Sequence, residues 1–388
     1  MGTGNQASLD TRVFDEVLMQ GGADARKELA RQLGQFLRNP DTSTDEREAI
    51  VPSLLKLTGD PVHEVRQALA GYLADIASLD ADVMFSIVAD DDSIALPFLA
   101  ASASLDRGRM LAVLKVGDTP RHAEIARRPD VSTECIGSIL KNAEAAACAA
   151  LLDNPAFEPR DADYRLLYSR FPSEPEIMDR LVDRSDLPLE IRILHAKRTS
   201  GQMHRYLDQS GIAMNSAPAE VVADAEETAI LTVLACASDG ELDRAIPFLL
   251  NKNLLTASLV LRAAAVGEMR IIVRALAQLA RMPQRRAESL LFGRNSMGIK
   301  SVLARTGLSP ITLHLIRAAI DVERSVRHSG EDISSDTFGV RVVEMIVAHY
   351  ERLTAVEKSK LLSFMVRYGT VHASAVASRL RSNLSRAA

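Results

Sequence analysis

The sequence predicts an all-α fold, an irregular helical-repeat solenoid in which short helix pairs stack as an alpha-alpha superhelix. Three observations point there. Short apolar runs with helical spacing follow one another in pairs, divided by turns rich in Gly, Pro and Asp. One turn pattern returns after 26 and again after 30 residues, the length of two short helices and a loop. Aromatic residues make up 4% of the 388 and Trp is absent, so Leu, Ala, Val and Ile must fill the core. Such a core suits close helix–helix packing better than a β-sandwich.

The clearest pair surrounds residues 60–70. Ile50 to Leu57 forms one apolar run, Thr58-Gly59 the turn. Asp60 is expected to cap the next helix and Pro61 to occupy its first turn, where a missing N–H costs nothing. Val65 and Leu69 then fall on one apolar face, and Arg66 is expected to form a salt bridge or stack along the repeat spine.

Upstream, Thr11 to Gln20 and Ala23 to Leu37 read as helices parted by Gly21-Gly22. Downstream, Ala81 to Ala89 and Ser93 to Ser102 flank the acidic corner Asp90-Asp91-Asp92. That corner is expected to be a helix cap and solvated turn; it lacks the twelve-residue loop of a calcium hand. The run Ile94 to Leu99 is echoed by Arg244 to Leu249, 150 residues later, and Gly117-Asp118 by Gly267-Glu268 at the same offset. Pro97 and Pro247 are expected either in the first turn of their helices or at a kink.

The recurring turn appears at Pro129, at Pro155 and at Ser185 to Pro188. Its frame is an apolar helix end, a polar pair, a turn, one inward apolar residue and a new helix. Residues 201–218, with Gly201, Gly211 and Asn215 to Pro218, read as a linker. Residues 219–237 begin acidic, with Asp224, Glu226 and Glu227, as suits a helix N-terminus. Helices are expected over 254–266, 269–279, 283–291, 297–305 and 309–322, a loop over 327–336, and three closing helices after it. The implied organisation is a lead-in over 1–44, repeats over 45–200, the linker 201–218, a second repeat region over 219–325 and a helical cap over 326–388.

The net charge of −5 supplies no overall basic field for nucleic acid or anionic lipid. No run is apolar and long enough for a membrane span, and no signal-peptide pattern opens the chain, so a cytoplasmic location is expected. Cys135, Cys148 and Cys236 form no CxxC pair and read as buried thiols of a reducing compartment. No phosphate-binding loop, dinucleotide fingerprint, HExxH or GxSxG is present. The eight histidines, His63, His122, His195, His204, His314, His328, His349 and His372, show no pair at ligand spacing of three or four. No catalytic residue, metal or cofactor is therefore expected.

One local asymmetry stands out. Nine basic residues lie between Arg262 and Arg305, opposed there only by Glu268 and Glu288. Arg270 and Arg274 share a helix face, and so do Arg281 and Arg285, with Arg286 beside them. Three readings compete: a solvated face salt-bridged to the acidic repeats, a site for an acidic or phosphorylated protein, and a nucleic-acid groove.

The Asp60, Val65, Arg66 and Leu69 frame, the segment Ala126 to Asp130 and the block Ala280 to Pro310 make the chain resemble the alphaproteobacterial family DUF2336, over about residues 45–320. In that block, Arg281, Pro283, Leu290, Leu291 and Gly298 to Leu303 carry the likeness. The resemblance extends to HEAT-like and leucine-rich-variant repeats and implies a HEAT-like solenoid. It implies no enzymatic activity, cofactor or partner. The function expected is a non-enzymatic scaffold or adaptor binding protein, with a nucleic-acid-binding or base-repair helical stack as the alternative.

Overall fold

The computed structural model describes residues 11–209, 218–293, 296–348 and 353–387. Among them are 23 α-helices and no strand. The chain divides into two compact units, residues 1–187 and 188–388.

The first unit holds α1 (Thr11–Gln20), α2 (Ala23–Arg38), α3 (Thr44–Thr58), α4 (His63–Leu73), α5 (Ala81–Val88), α6 (Asp92–Ala101), α7 (Arg107–Val116), α8 (Thr119–Arg127), α9 (Thr133–Asn142), α10 (Ala145–Leu152), α11 (Asp161–Arg170) and α12 (Pro175–Val182). Each helix packs on the next but one, with a single gap between α5 and α7, and most also pack on their successors. That ladder is what stacked helix pairs produce. Short polar residues set the starts. Ser43 forms a capping box with Glu46, and Asp80, Asp106, Asp118 and Ser132 accept first-turn N–H groups.

Arginines close the other ends. Helix C-termini leave carbonyls unpaired, and side chains from a later pair reach back to them. Arg121 donates to Val88 O and Asp90 O, Arg128 to Leu99 O and Ser102 O, and Arg170 to Leu140 O and Ala143 O, while Arg38 reaches forward from α2 to Tyr72 O of α4. Most of these reaches span about one repeat. Asn154, buried in the Pro155 turn, donates to Ala126 O and Arg128 O, while Arg128 itself sits in the Pro129 turn. The polar pair thus hooks the Pro129 and Pro155 turns onto the chain about one repeat before them. Phe157 and Leu187 are its buried inward residues.

Asp60 does more than cap. Helix α4 starts at His63, after Val62. The Asp60 carboxylate accepts from Val62 N at 2.8 Å and, almost fully buried, takes Arg26 Nε at 2.5 Å. Pro61 is exposed in the turn ahead of the helix. Val65 and Leu69 are buried, and Arg66 bridges Asp60 O to the Asp90 carboxylate at 2.7 Å. The acidic corner is therefore an arginine receptor: Asp90 serves Arg66, and Asp92 serves Arg121.

The second unit begins with α13 (Leu189–Gln209), packed along α14 (Pro218–Ala235). The expected linker 201–218 is thus helical to Gln209; residues 210–217 lie outside the described residues. Gly201 is buried inside α13 rather than breaking it. There follow α15 (Asp239–Asn251), α16 (Ala257–Val266), α17 (Met269–Leu279), α18 (Gln284–Phe292), α19 (Ser296–Leu303), α20 (Pro310–Ser329), α21 (Ser335–Ala348), α22 (Ala355–Tyr368) and α23 (Val371–Ala387). Here the ladder gives way to a bundle. Helix α16 packs against α14, α17, α20, α21 and α22, and Leu259 to Ala265 are all buried. A helix buried nearly all round, with Arg262 its one charged residue, belongs at a centre. The hydroxyl of Thr256 caps it, and Gly267, at φ 85°, ends it beneath the Phe338 ring, where a Cβ would lie 2.9 Å from ring carbons.

Pro97 and Pro247 lie inside α6 and α15, past the first turn. Pro97 is exposed, so the Ser93 carbonyl it leaves without a helical donor faces solvent, where the loss is small. The expected loop 327–336 is shorter than predicted. Helix α20 continues to Ser329 because Val326 packs on the core and Arg327 lies 4.0 Å over the Phe292 ring.

Candidate interaction surface

The basic segment splits into a structural half and an open half. Arg262 is buried on α16. It donates to Asp224, to Glu227 Oε2 at 3.1 Å and to Thr228 Oγ1, and it stacks 4.5 Å from the Tyr368 ring. Arg367 of α22 adds a bidentate pair to Asp224, at 2.9 and 3.0 Å. Asp224 and Glu227, expected as partners of the α14 helix dipole, are the partners of this buried cation instead.

Arg270 donates to Ala235 O and Ala237 O, closing the end of α14, and lies 3.5 Å from Asp239. Arg274, 9% exposed at its side chain, pairs with Asp243 at 2.7 Å and Asp239 at 3.1 Å. Two of the five arginines singled out in the sequence are thus parts of the scaffold.

Arg281, Arg285 and Arg286 are exposed and make no side-chain hydrogen bond or ion pair among the described residues. Lys300 and Arg305 nearby in sequence are exposed and free in the same sense. By contrast, each arginine from Arg26 to Arg184 in the first unit has a partner, whether an acid or a carbonyl.

Arg281 also carries backbone strain. It follows the α17 C-cap at φ 51°, in the left-handed region. Its N–H bonds to Gln278 O at 3.1 Å, and Met282 N to Ala277 O at 3.0 Å, which is the Schellman closure that normally uses Gly or Asn. The other positive-φ positions among the described residues are Gly267, Gly307, Gly330 and Asn253.

Charge is divided as well. Residues 1–187 carry 32 acidic and 20 basic side chains, whereas residues 188–388 carry 19 and 26. The whole-chain value of −5 averages an acidic unit with a basic one. This division was readable in the sequence and is lost once the charges are summed over the full length.

The cysteines divide too. Cys135 and Cys148 are buried, and burial pushes the Cys148 thiol up to about 11. Cys236 is exposed at the end of α14, which corrects the expectation of three buried thiols. Glu268, at the α16–α17 corner, is raised by burial against a smaller opposing pull from Arg270. Among the described residues no set of His, Cys, Asp and Glu is grouped to hold a metal ion. None of the helices searched among the described residues is long and apolar enough to cross a membrane.

The profile of one bacterial family, described as an uncharacterised protein conserved in bacteria (DUF2336), matches residues 94–357. The chain belongs to the DUF2336 family. The match begins and ends later than the resemblance drawn from residues 45–320, taking in α20, α21 and the first residues of α22. Arg281, Arg285 and Arg286 lie within the DUF2336 segment, and Arg367 lies beyond it. No curated protein and no solved structure matches the chain.

Proposed function

We propose that this DUF2336 chain is a non-enzymatic, cytoplasmic scaffold or adaptor that holds an acidic or phosphorylated protein partner at the α17–α19 edge, in a bacterial signalling setting. The observation that carries the reading is Arg281. It is exposed and unpaired, and it occupies a left-handed position where glycine would relieve strain. An arginine kept at such a site is expected to have a use outside the fold. Arg285 and Arg286 extend the cationic edge, and guanidinium forks suit carboxylate and phosphate.

The positive balance of residues 188–388 favours nucleic acid as a second reading. Arg262, Arg270 and Arg274 do not serve it, because acids and carbonyls of the chain already hold them.

The test is affinity capture from native extract with the wild type beside the triple variant R281E/R285E/R286E, each with and without nuclease. Arg270 and Arg274 are left intact because they hold the fold. A protein captured after nuclease treatment by the wild type and lost by the triple variant supports the adaptor. Recovery of nuclease-sensitive material alone moves the chain to the nucleic-acid class, and capture unchanged by the triple variant removes the site.

A further inference from the structure

In the first unit the even-numbered helices pack in an unbroken series from α2 to α12. The odd-numbered series has a gap, because α5 and α7 make at most marginal contact. A groove of about 550 Å3 opens there, lined by Phe85 and Val88 of α5 and Ala89 just after it, and by Val113, Val116 and Gly117 at the end of α7. Its walls are apolar, and Val116 is 85% exposed, far more than an aliphatic side chain with a packed neighbour would be.

One end of the groove is charged in an ordered way. Arg121 lines it and binds Asp92 and Asp118; Arg66, just beyond, binds Asp90 and Asp91. The two cations are recessed, at 12% and 17% exposure, whereas Asp91, Asp92 and Asp118 are 68%, 57% and 55% exposed. Four carboxylates against two guanidinium groups leave this end negative, and its carboxylate edges face outward.

We propose that this groove seats an amphipathic helix of a partner protein. Apolar side chains one turn apart on that helix meet Phe85, Ala89 and Val116 over a floor of Val88 and Val113, and a Lys or Arg near its end meets Asp91, Asp92 and Asp118. Helix-in-groove recognition needs such an apolar trough with polar ends. The excess of acids over bases in residues 1–187 steers a basic helix towards it and repels an acidic one. This site is separate in residues and opposite in charge from the α17–α19 edge, so neither reading depends on the other.

Three labelled helical peptides test it by fluorescence anisotropy with the full chain. The first has a Leu stripe and Lys flanks, the second the same stripe with Glu flanks, and the third Lys flanks with Ser in place of Leu. Saturable binding is expected for the first alone, weakened about tenfold by V116R or by A89R, two changes at exposed positions. The double variant D91N/D92N is expected to weaken binding less and to flatten its salt dependence. Circular dichroism shows whether each variant is folded, and the second groove variant serves if the first is not. The proposal is overturned if the first peptide does not bind, if the Ser peptide binds equally well, or if folded V116R and A89R bind like the wild type.

Discussion

Arg121 and Arg270 perform the same task at matching points of two helix series. Arg121, in the first turn of α8, reaches Val88 O at 2.7 Å at the end of α5. Arg270, in the first turn of α17, reaches Ala235 O at 3.0 Å and Ala237 O at 3.1 Å at the end of α14. In each series the order is the closed helix, the helix with an internal proline, a third helix, and then the helix bearing the arginine. The sequence echo between residues 94–99 and 244–249 lies on the proline helices of both. The shared unit is therefore larger than the echo: a set of helices held by one arginine from its fourth member.

If these arginines close helix ends, R121A and R270A each cost about 1–3 kcal/mol, because carbonyls and acids they serve lose a charged donor. Lysine, a single compact ammonium, should restore less than half of that at either site. Urea denaturation of the four variants checks this.

A larger loss is expected at Arg262. Replacing it with Met leaves Asp224 and Glu227 facing a buried site without their main cation. Removing one partner of such a network costs about 3–5 kcal/mol. R367A should cost much less, since Arg262 still neutralises Asp224. If R262M and R367A melt alike, the network is not centred on Arg262.

At Arg281 the expected sign is reversed. R281G should stabilise by about 0.5–1 kcal/mol, by removing a left-handed non-glycine residue. The triple variant R281E/R285E/R286E should unfold within about 0.5 kcal/mol of the wild type, as exposed unpaired side chains do. Thermal melts of both, run beside the capture experiment, separate a lost interaction from a lost fold.

The three thiols should react at different rates. Cys236 is exposed and should be alkylated first in the native protein near pH 8, while Cys148, with its thiol at about 11, and buried Cys135 should wait for unfolding. Mass spectrometry after brief iodoacetamide treatment should find one modified site, and three after denaturation.

Acid should act on the two kinds of carboxylate in opposite directions. Burial raises Asp90 and Asp118, but Arg66 and Arg121 with neighbouring N–H groups outweigh it, so both lie below the usual carboxylate range. Their contribution is present above the unfolded value of about 4 and is lost as pH falls through the lowered folded value. Glu268 is raised, so its contribution is fully present below the unfolded value and is lost as pH rises through the folded one. E268Q should therefore gain stability at neutral pH and lose that advantage in acid, whereas D90N should be weakest against the wild type at neutral pH. Urea midpoints across roughly pH 3 to 7 decide both.

Much of the helix order was legible because it is written locally. Apolar spacing marks α1 to α6 and α15 to α18, short polar caps mark the starts of α3, α5, α15 and α16, and the repeating turn at Pro129 and Pro155 marks the ends of α8 and α10. What misled was non-local. Gly201 looks like a breaker, yet it is buried within α13, where packing along α14 outweighs its poor helix propensity. Asp60 has the look of a cap, and its main partner, Arg26, lies 34 residues upstream. Arg262 reads as part of an open basic run because Asp224, which neutralises it, is 38 residues away. The strain at Arg281 leaves no mark in a sequence that runs Ala280, Arg281, Met282 without a glycine. Of the candidate surface, the arginines were visible, but which of them remained free was not.

Helix α16 also sets an order of events during synthesis. In the first unit most helices find their neighbours within the next few dozen residues, so the stack can settle as it leaves the ribosome. Helix α16 has near neighbours in α14 and α17, but part of its cover comes late: it packs on α22, whose Leu361, Leu362 and Met365 share its core, and Arg367 closes on Asp224 across 143 residues. Until that stretch is translated, the side of α16 that α22 covers stays open in the nascent chain. A fragment ending at residue 357, the limit of the family match, would lack that part of the cover and should be a better client of chaperones and proteases than the full chain. The cover of the central helix therefore extends past the family-matched segment, into α22.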